Sequence, residues 1–253
     1  MLSEKRQEGI LRLVNEEKSV TVQELKEYFD ASESTIRRDI TALAKEGKLV
    51  KVFGGALALE SSFTTNELTN SQKEQINREE KERIAKYAAG LISPGDYVFI
   101  DSGTTTGMMV DYITEKDATY VTNAVVHAKK LTMKGLRVLL IGGELKETTE
   151  AVIGADAVLH IQKYHFSKGF FGTNGISIKS HYTTPDVREA LVKRVAVENT
   201  LPGKRYILAD HDKFGQVSSV TFADLDGTII ITDQKPESLY IERVDVVIAS
   251  KSK

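Results

Sequence analysis

The sequence contains no cysteine among its 253 residues, which excludes disulfide bridges and metal sites built on thiolates. A chain without disulfides suits a reducing cytoplasm, where we expect this protein to act. The five histidines include no pair four residues apart, so the spacing typical of a helical metal site is also missing. We therefore expect neither a metal ion nor a cofactor.

Long apolar runs are missing as well. No segment has the roughly 20 consecutive apolar residues that a helix needs to cross a bilayer. Residues 1–6 lead directly into a charged helical pattern, without the apolar centre of a signal peptide. We expect no membrane partner. The hydrophobic fraction of 41% is ordinary for a globular protein, and the length of 253 residues allows two unequal domains.

A strong net charge is also absent, because the formal charge at pH 7 is −2. The charge is distributed unevenly. Residues 1–33 carry five basic and eight acidic side chains, whereas residues 34–52 carry five basic and two acidic ones. A local basic excess is compatible with docking on DNA, and a solvated helix face is the alternative.

Three helical patterns and a short strand occupy the first 57 residues. Thr21 and Glu24 have the spacing of a capping box, Ser32 is placed to cap a third helix, and Gly47 ends that helix. A strand pattern follows at residues 49–53, before a glycine pair turns the chain. This order of elements is typical of a winged helix-turn-helix, which binds DNA.

The third helix offers hydroxyl and guanidinium groups near its start, and such groups bind phosphates and base edges in the major groove. We predict contacts with double-stranded DNA from Ser34, Thr35, Arg37, Arg38, Lys48 and Lys51. The alternative is a capped surface helix whose arginines pair with neighbouring acids.

Apolar strands alternate with amphipathic helices in the rest of the chain. Residues 58–75 lack periodicity and are predicted to be a linker, and residues 77–92 are predicted to be helical. Strands are predicted at 97–100, 119–121, 138–141, 169–171, 206–209, 228–231 and 244–248, and further helices at 106–114, 124–133 and 186–198. The alternation predicts an α/β domain over residues 76–253, with a mostly parallel, Rossmann-like sheet covered on both faces.

Polar loops follow several of these strands. The first contains Asp101, Ser102, Gly103, Thr104, Thr105 and Thr106 and opens a helix. Its hydroxyls and the free N–H groups of the helix start form a cradle for a phosphate, with plain helix capping as the alternative. Small, polar or charged residues also follow later strands, at 122–123, 142–144, 172–175 and 210–213. Because parallel strands end at one edge of a sheet, we expect these loops to converge on one cleft.

Residues 34–40, 47–49 and 53–56 together resemble the N-terminal part of the DeoR family of bacterial repressors. The resemblance covers nearly the whole chain. It implies a helix-turn-helix at about residues 20–39, inside a DNA-binding domain that spans residues 1–57. It also implies a second domain similar in fold to ribose-5-phosphate isomerase and glucosamine-6-phosphate deaminase, which in this family binds phosphorylated sugars.

The resemblance carries a set of effector-binding residues onto this chain. They are Lys81, Asp101, Ser102, Gly103, Thr104, Thr105, Thr106, Asn123, Gly142, Gly143, Glu189, Lys193, Asp210 and Lys213. Lysines of this set would offset the phosphate charge, and carboxylates would accept sugar hydroxyls. For Glu189 and Lys193, a surface ion pair at i,i+4 spacing is the alternative. Many relatives have an arginine near residue 72, so Lys73 is not carried over.

The two domains together predict a homodimeric or homotetrameric repressor that a phosphorylated sugar releases from its operator. Within the family, the motifs are most like those of fructose-operon and lactose phosphotransferase repressors, so fructose 1-phosphate is the leading effector. One alternative is a sugar-phosphate isomerase or deaminase, although such an enzyme has no use for a DNA-binding module. Another is an activator, or a regulator that responds to another sugar, a polyol phosphate or a nucleoside phosphate.

Overall fold

The computed structural model describes residues 3–17, 19–52, 54–58, 62–63 and 68–249. The chain divides into two compact units, Met1–Phe63 and Thr64–Lys253. The last residue of the strand predicted at 49–53 and much of the predicted linker lie outside the described residues. Among the described helices, none is both long enough and apolar enough to span a membrane.

The first unit consists of three helices and a small antiparallel sheet. In chain order its elements are α1 (Ser3–Glu17), β1 (Ser19–Thr21), α2 (Val22–Phe29), α3 (Glu33–Lys45), β2 (Val50–Val52), β3 (Gly55–Leu57) and β4 (Ser62–Phe63). Strand β3 lies between β1 and β2 and pairs antiparallel with both. The predicted winged helix-turn-helix is confirmed.

The helices of this unit begin and end where the local sequence predicts. The Thr21 hydroxyl accepts a hydrogen bond from the Glu24 N–H (3.1 Å), and the Glu24 carboxylate accepts one from the Thr21 N–H (2.7 Å). Ser32 caps α3, and Gly47 adopts a φ of +68° just beyond it. The apolar stripes of the three helices meet in a core that contains Ile10, Val14, Leu25, Ile36, Ile40 and Leu43.

The second unit alternates strands and helices. Its elements up to the middle of the unit are α4 (Asn70–Gln75), α5 (Arg78–Ala89), β5 (Tyr97–Ile100), α6 (Thr104–Tyr112), β6 (Thr119–Thr122), α7 (Val125–Met133), β7 (Arg137–Leu140), β8 (Glu144–Leu145), β9 (Val152–Ile153) and α8 (Ala155–Ile161). The elements that follow are β10 (Lys168–Gly172), β11 (Gly175–Ser177), β12 (His181–Thr184), α9 (Val187–Glu198), β13 (Arg205–Leu208), a 3₁₀ turn (His211–Lys213), β14 (Gln216–Val217), β15 (Val220–Ala223), β16 (Thr228–Thr232), α10 (Ser238–Ile241) and β17 (Asp245–Ile248).

A parallel sheet of seven strands forms the centre of this unit, in the order β17-β16-β13-β10-β5-β6-β7. These are the seven strands that the sequence predicts, with small differences at their ends. Alternate residues of the strands face opposite sides of the sheet. Val98 and Ile100 of β5 pack with helices α5, α6 and α7, whereas Phe99 packs with α8 and α9. The α/β class and the covering of both faces are confirmed.

The structure adds elements that the sequence patterns do not predict. They include the β8–β9 hairpin, helix α8 and an antiparallel sheet of β11, β12 and β15. These strands have two to four residues each, too few to show a period of two. Helix α4 lies within residues 58–75, where the sequence predicts a structureless linker. It has no buried residue and therefore no apolar stripe that a periodicity search could detect.

Candidate DNA-binding and effector-binding sites

The start of helix α3 presents the predicted DNA-contacting groups at the surface of the first unit. The Ser32 hydroxyl lies 3.0 Å from the hydroxyl of Ser34 and 2.8 Å from that of Thr35, so three hydroxyls cluster at the helix N-terminus. Ser34 is exposed and Thr35 is half-buried. Hydroxyls at a helix N-terminus suit contacts with phosphate oxygens.

The basic side chains of this surface differ in their partners. Arg37 forms an exposed ion pair with Glu33 (2.7 Å), and Lys48 forms one with Glu46 (2.8 Å). The Lys51 ammonium donates to the Thr41 hydroxyl (2.9 Å). Arg38 is exposed and has no ion-pair or hydrogen-bond partner among the residues that the structure describes. Its guanidinium is the most available group for DNA on this helix.

Asp39 is a buried residue of α3 that the predicted DNA-binding set does not include. Its carboxylate accepts hydrogen bonds from Arg6 (2.6 Å), Gln7 (3.1 Å) and Ser3 (3.3 Å) of helix α1. These hydrogen bonds hold helix α3 against helix α1. The available signal was its spacing, because Asp39 lies three residues from Ile36 and four from Leu43, on the buried stripe.

In the second unit, the loops after β5, β10 and β13 converge on one open cleft, whose empty volume is about 580 Å³ including the space at its mouth. The predicted residues that line it are Lys81, Ser102, Gly103, Thr104, Thr105, Glu189, Lys193, Asp210 and Lys213. Helix α6 begins at Thr104, so the free N–H groups of its first turn lie at the cleft. Gly103 permits this convergence, because a Cβ there would lie 3.5 Å from the Gly172 Cα and 3.2 Å from the Asp101 carboxylate.

Asp101 is buried beneath this loop and fixes its shape. Its carboxylate accepts from the Gly103 N–H (3.0 Å), the Gly172 N–H (2.8 Å) and the Thr106 hydroxyl (2.8 Å), and it pairs with the Lys193 ammonium. Every one of these donors comes from a residue near the cleft wall. Asp101 and Thr106 therefore support the lining of the cleft from below.

Glu189 and Lys193 are both buried, and neither forms the surface ion pair that their spacing allows. Lys193 donates to the Gly172 carbonyl (3.0 Å) in addition to its pair with Asp101. Glu189 instead accepts from the Thr149 hydroxyl and the Lys146 ammonium (3.2 Å). Lys193 and Glu189 therefore belong to two separate buried hydrogen-bond networks at the cleft.

A second group of charges surrounds Asp210 at the other side of the cleft. Its Oδ1 accepts from the Asn77 side-chain amide (3.0 Å), while Oδ2 is buried without a hydrogen-bond partner among the described residues. Burial lowers the pKa of the nearby Lys81; the Asp210 carboxylate opposes this shift, and the Lys213 and Lys73 ammonium groups add to it. An anion entering the cleft would favour the charged form of Lys81.

Three predicted residues do not reach the cleft. The Asn123 side chain donates to the Val152 carbonyl (3.2 Å), so it fixes the neighbouring hairpin. The Gly142 N–H donates to the His160 ring (3.1 Å). Gly143 has a φ of +152°, and a Cβ there would lie 2.7 Å from the Ile153 carbonyl oxygen. Close backbone packing therefore accounts for Gly143.

Other lining residues are ones that the predicted site did not include. They are Asn70, Lys73, Thr149, Gly172, Thr173, Asn174 and Leu208. Residues 172–174 belong to a loop that the sequence places at this edge, but Asn70 and Lys73 come from the predicted linker. No group of three potential metal-ligating side chains occurs among the residues that the structure describes.

Comparisons with known proteins bear on both units. The family model of the DeoR-like helix-turn-helix domain matches residues 6–62, and that of the DeoR C terminal sensor domain matches residues 76–234. The chain is 39% identical, over 92% of each chain, to a Bacillus subtilis (strain 168) protein named "Uncharacterized HTH-type transcriptional regulator FruR". It is 34% identical to the lactose phosphotransferase system repressor of Staphylococcus aureus (strain NCTC 8325 / PS 47), over 97% of this chain and 100% of the relative.

Among solved structures, the chain is similar to ribose 5-phosphate isomerase A from Methanocaldococcus jannaschii, with a TM-score of 0.39 and 11% identity over 55% of each chain. The two family matches and the two relatives cover nearly the whole sequence. The chain therefore belongs to the DeoR family of transcriptional repressors.

Proposed function

We propose that the cleft binds a phosphorylated sugar, with fructose 1-phosphate as the leading candidate, and that this binding releases the protein from the operator of a sugar phosphotransferase operon in the cytoplasm. The observation that carries this proposal is the unpartnered Oδ2 of Asp210, buried beside Lys81 and Lys213. A buried acceptor without a donor costs free energy, and a sugar hydroxyl would supply the missing donor.

The same cleft has the features that a phosphate group requires. The first turn of α6 offers N–H groups, and the hydroxyls of Ser102, Thr104 and Thr105 surround it. Lysine ammonium groups make charge-assisted bonds with phosphate oxygens, and Lys81 and Lys213 line the same cleft. A ligand that carries both hydroxyls and a phosphate can use all of these groups.

Release from DNA requires the ligand to bind the two states of the protein unequally. A hundredfold loss of operator affinity needs about 2.7 kcal/mol of coupling between the two sites. The names of the two relatives, one FruR and one a lactose phosphotransferase system repressor, support a sugar operon as the target. Two operator half-sites would be held by a homodimer or homotetramer.

The proposal is tested by a thermal-shift screen of hexose, pentose, polyol and nucleoside phosphates, because a saturating ligand raises stability. Each ligand that binds is then added to the protein on fluorescent DNA from its own promoter region. We expect fructose 1-phosphate to stabilise the protein and to lower its operator affinity, without chemical conversion of the sugar. Absence of operator binding at moderate salt would refute the repressor, and turnover of the sugar phosphate would favour an enzyme.

A further inference from the structure

The contacts of helix α4 with the wall of the effector cleft include several hydrogen bonds. It has six residues, none of them buried, and a helix this short is unstable by itself in water. A capping box between Thr69 and Gln72 closes its first turn. Because none of its residues is buried, the hydrogen bonds that join it to the rest of the second unit are important for its position.

Those hydrogen bonds run to the wall of the effector cleft. The Asn70 side-chain amide donates to the Thr149 carbonyl (2.6 Å), and the Asn70 N–H donates to the Thr148 carbonyl (3.3 Å). Near the other end of the helix, the Lys73 carbonyl accepts from the Lys81 ammonium. Asn70, Lys73, Thr149 and Lys81 all line the cleft.

Each anchor of α4 also belongs to the charge network of the cleft. The Thr149 hydroxyl donates to Glu189, and Lys81 lies among the charges of Asp210, Lys213 and Lys73. An ammonium group that donates to a carbonyl oxygen makes a stronger bond with a phosphate oxygen. A ligand anion therefore competes with the Lys73 carbonyl for Lys81.

We propose that α4 couples the effector cleft to the DNA-binding unit, because effector binding withdraws Lys81 from the Lys73 carbonyl and loosens the helix, while Asn70 is the positioning residue that holds α4 in the DNA-competent state. This inference rests on the proposed function. The first unit ends at Phe63 and α4 begins at Asn70, so only six residues, 64–69, join them along the chain. Among the elements that line the cleft, α4 is therefore the one nearest in the chain to the DNA-binding unit.

The test compares Asn70→Ala with wild type in two binding measurements, operator affinity with and without fructose 1-phosphate, and the affinity for fructose 1-phosphate itself. We expect Asn70→Ala to mimic the effector, with operator affinity about tenfold lower before any ligand is added and a correspondingly smaller response to it. By reciprocity, the variant binds fructose 1-phosphate as tightly as wild type or more tightly. A residue that only contacts the ligand would instead weaken ligand binding.

Gln75→Ala is the matched control, because Gln75 is an exposed residue of the same helix and does not line the cleft. We expect it to behave as wild type in both measurements. If Asn70→Ala keeps the operator affinity and the ligand response of wild type, the inference is overturned while the proposed function stands.

Amide hydrogen exchange of the wild-type protein provides an independent measurement that needs no variant. With fructose 1-phosphate, and separately with inorganic phosphate as a fragment of the ligand, exchange of the α4 amides should become faster. Unchanged or slower exchange with both probes would overturn the inference. If fructose 1-phosphate binds but leaves operator affinity unchanged, the proposed function fails, whereas the exchange of α4 still decides whether ligand binding loosens the helix.

Discussion

The ion pairs at the two candidate sites differ in how far they are exposed to solvent. In the first unit, Arg37 pairs with Glu33 four residues away, and both groups are about half-exposed. In the second unit, Lys193 pairs with Asp101, which lies 92 residues away in the chain, and both side chains are buried. Exposed pairs exchange partners at little cost, which suits contact with a polyanion, whereas buried charges are fixed by the fold.

Asp39 is the exception within the first unit. It is buried and pairs with Arg6, 33 residues away. The carboxylate faces helix α1, whereas Arg37 and Arg38 are exposed. Exposed ion pairs between neighbouring residues therefore leave charged groups available for DNA. Buried ion pairs between distant residues hold helices and loops in place.

The largest expected effect comes from breaking the buried pair of the second unit. Lys193→Met leaves the Asp101 carboxylate buried without its countercharge, and we expect it to lower the free energy of unfolding by about 3–5 kcal/mol. Arg37→Met removes the cation of an exposed pair and should change it by at most about 0.5 kcal/mol. Urea unfolding followed by circular dichroism measures both. Equal effects would contradict the contrast between the units.

Acid should destabilise the second unit through His127, a residue type that the first unit lacks. Burial lowers the pKa of His127 to about 4, against an opposing effect of Asp101. Because the unfolded chain takes up the proton near pH 6.5, stability present above that pH is lost as the pH falls toward 4. The expected loss is about 3 kcal/mol.

His127→Leu should remove this part of the acid response, because the neutral buried ring is replaced by a group that does not titrate. The measurement is the free energy of unfolding between pH 7 and pH 4, with wild type in parallel. His165→Leu is a control from the same unit. An acid response that persists in full in His127→Leu would show that other groups cause it.

Removing one cleft lysine should separate the two functions. Lys213→Ala is expected to weaken binding of fructose 1-phosphate about 10- to 100-fold, since a charge-assisted bond to phosphate contributes roughly 1.5–3 kcal/mol. Operator affinity without ligand should stay unchanged. Calorimetry and operator binding measure the two effects, and Lys163→Ala, at an exposed position outside the cleft, is the control. A normal ligand affinity would remove Lys213 from the site.

The difference between local and distant contacts also explains which features of the structure could be predicted from the sequence. Features set by neighbouring residues were predictable, including the Thr21 capping box, the turn at Gly47 and the seven strands of the sheet. The loop at 101–106 was placed at the correct sheet edge because parallel strands end there together. Gly143 gave the same signal for a different reason, which is close backbone packing against Ile153.

Features set by distant residues were not predictable in this way. The spacing of Glu189 and Lys193 indicated a local pair, but each has a partner elsewhere, and only the fold brings Asp101, Thr149 and Lys146 to them. Helix α4 was not predictable because none of its residues is buried. A periodic apolar pattern arises from a buried helix face, and α4 has no such face.

On the DNA-binding surface, the two arginines of α3 should not be equivalent. Arg38→Ala is expected to weaken operator binding about tenfold and to reduce the salt slope by about one. Arg37→Ala should have a smaller effect, because Arg37 must first give up its pair with Glu33. Fluorescence anisotropy at several salt concentrations measures both, with Lys45→Ala near the end of the helix as the control. A larger effect of Arg37→Ala than of Arg38→Ala would show that Arg37, and not Arg38, is the more available contact for DNA.

The smallest expected effect tests whether the Glu33 pair restrains Arg37. Glu33→Gln removes the carboxylate and frees the guanidinium, so operator affinity should rise about two- to threefold at low salt, the size of an exposed i,i+4 pair. Salt screens such a pair, so the gain should shrink as salt rises. The gain should also be smaller in an Arg37→Ala background, because no pair remains to be broken. The same gain in both backgrounds would mean that Glu33 acts by repelling DNA, and that the pair with Arg37 has no part in recognition.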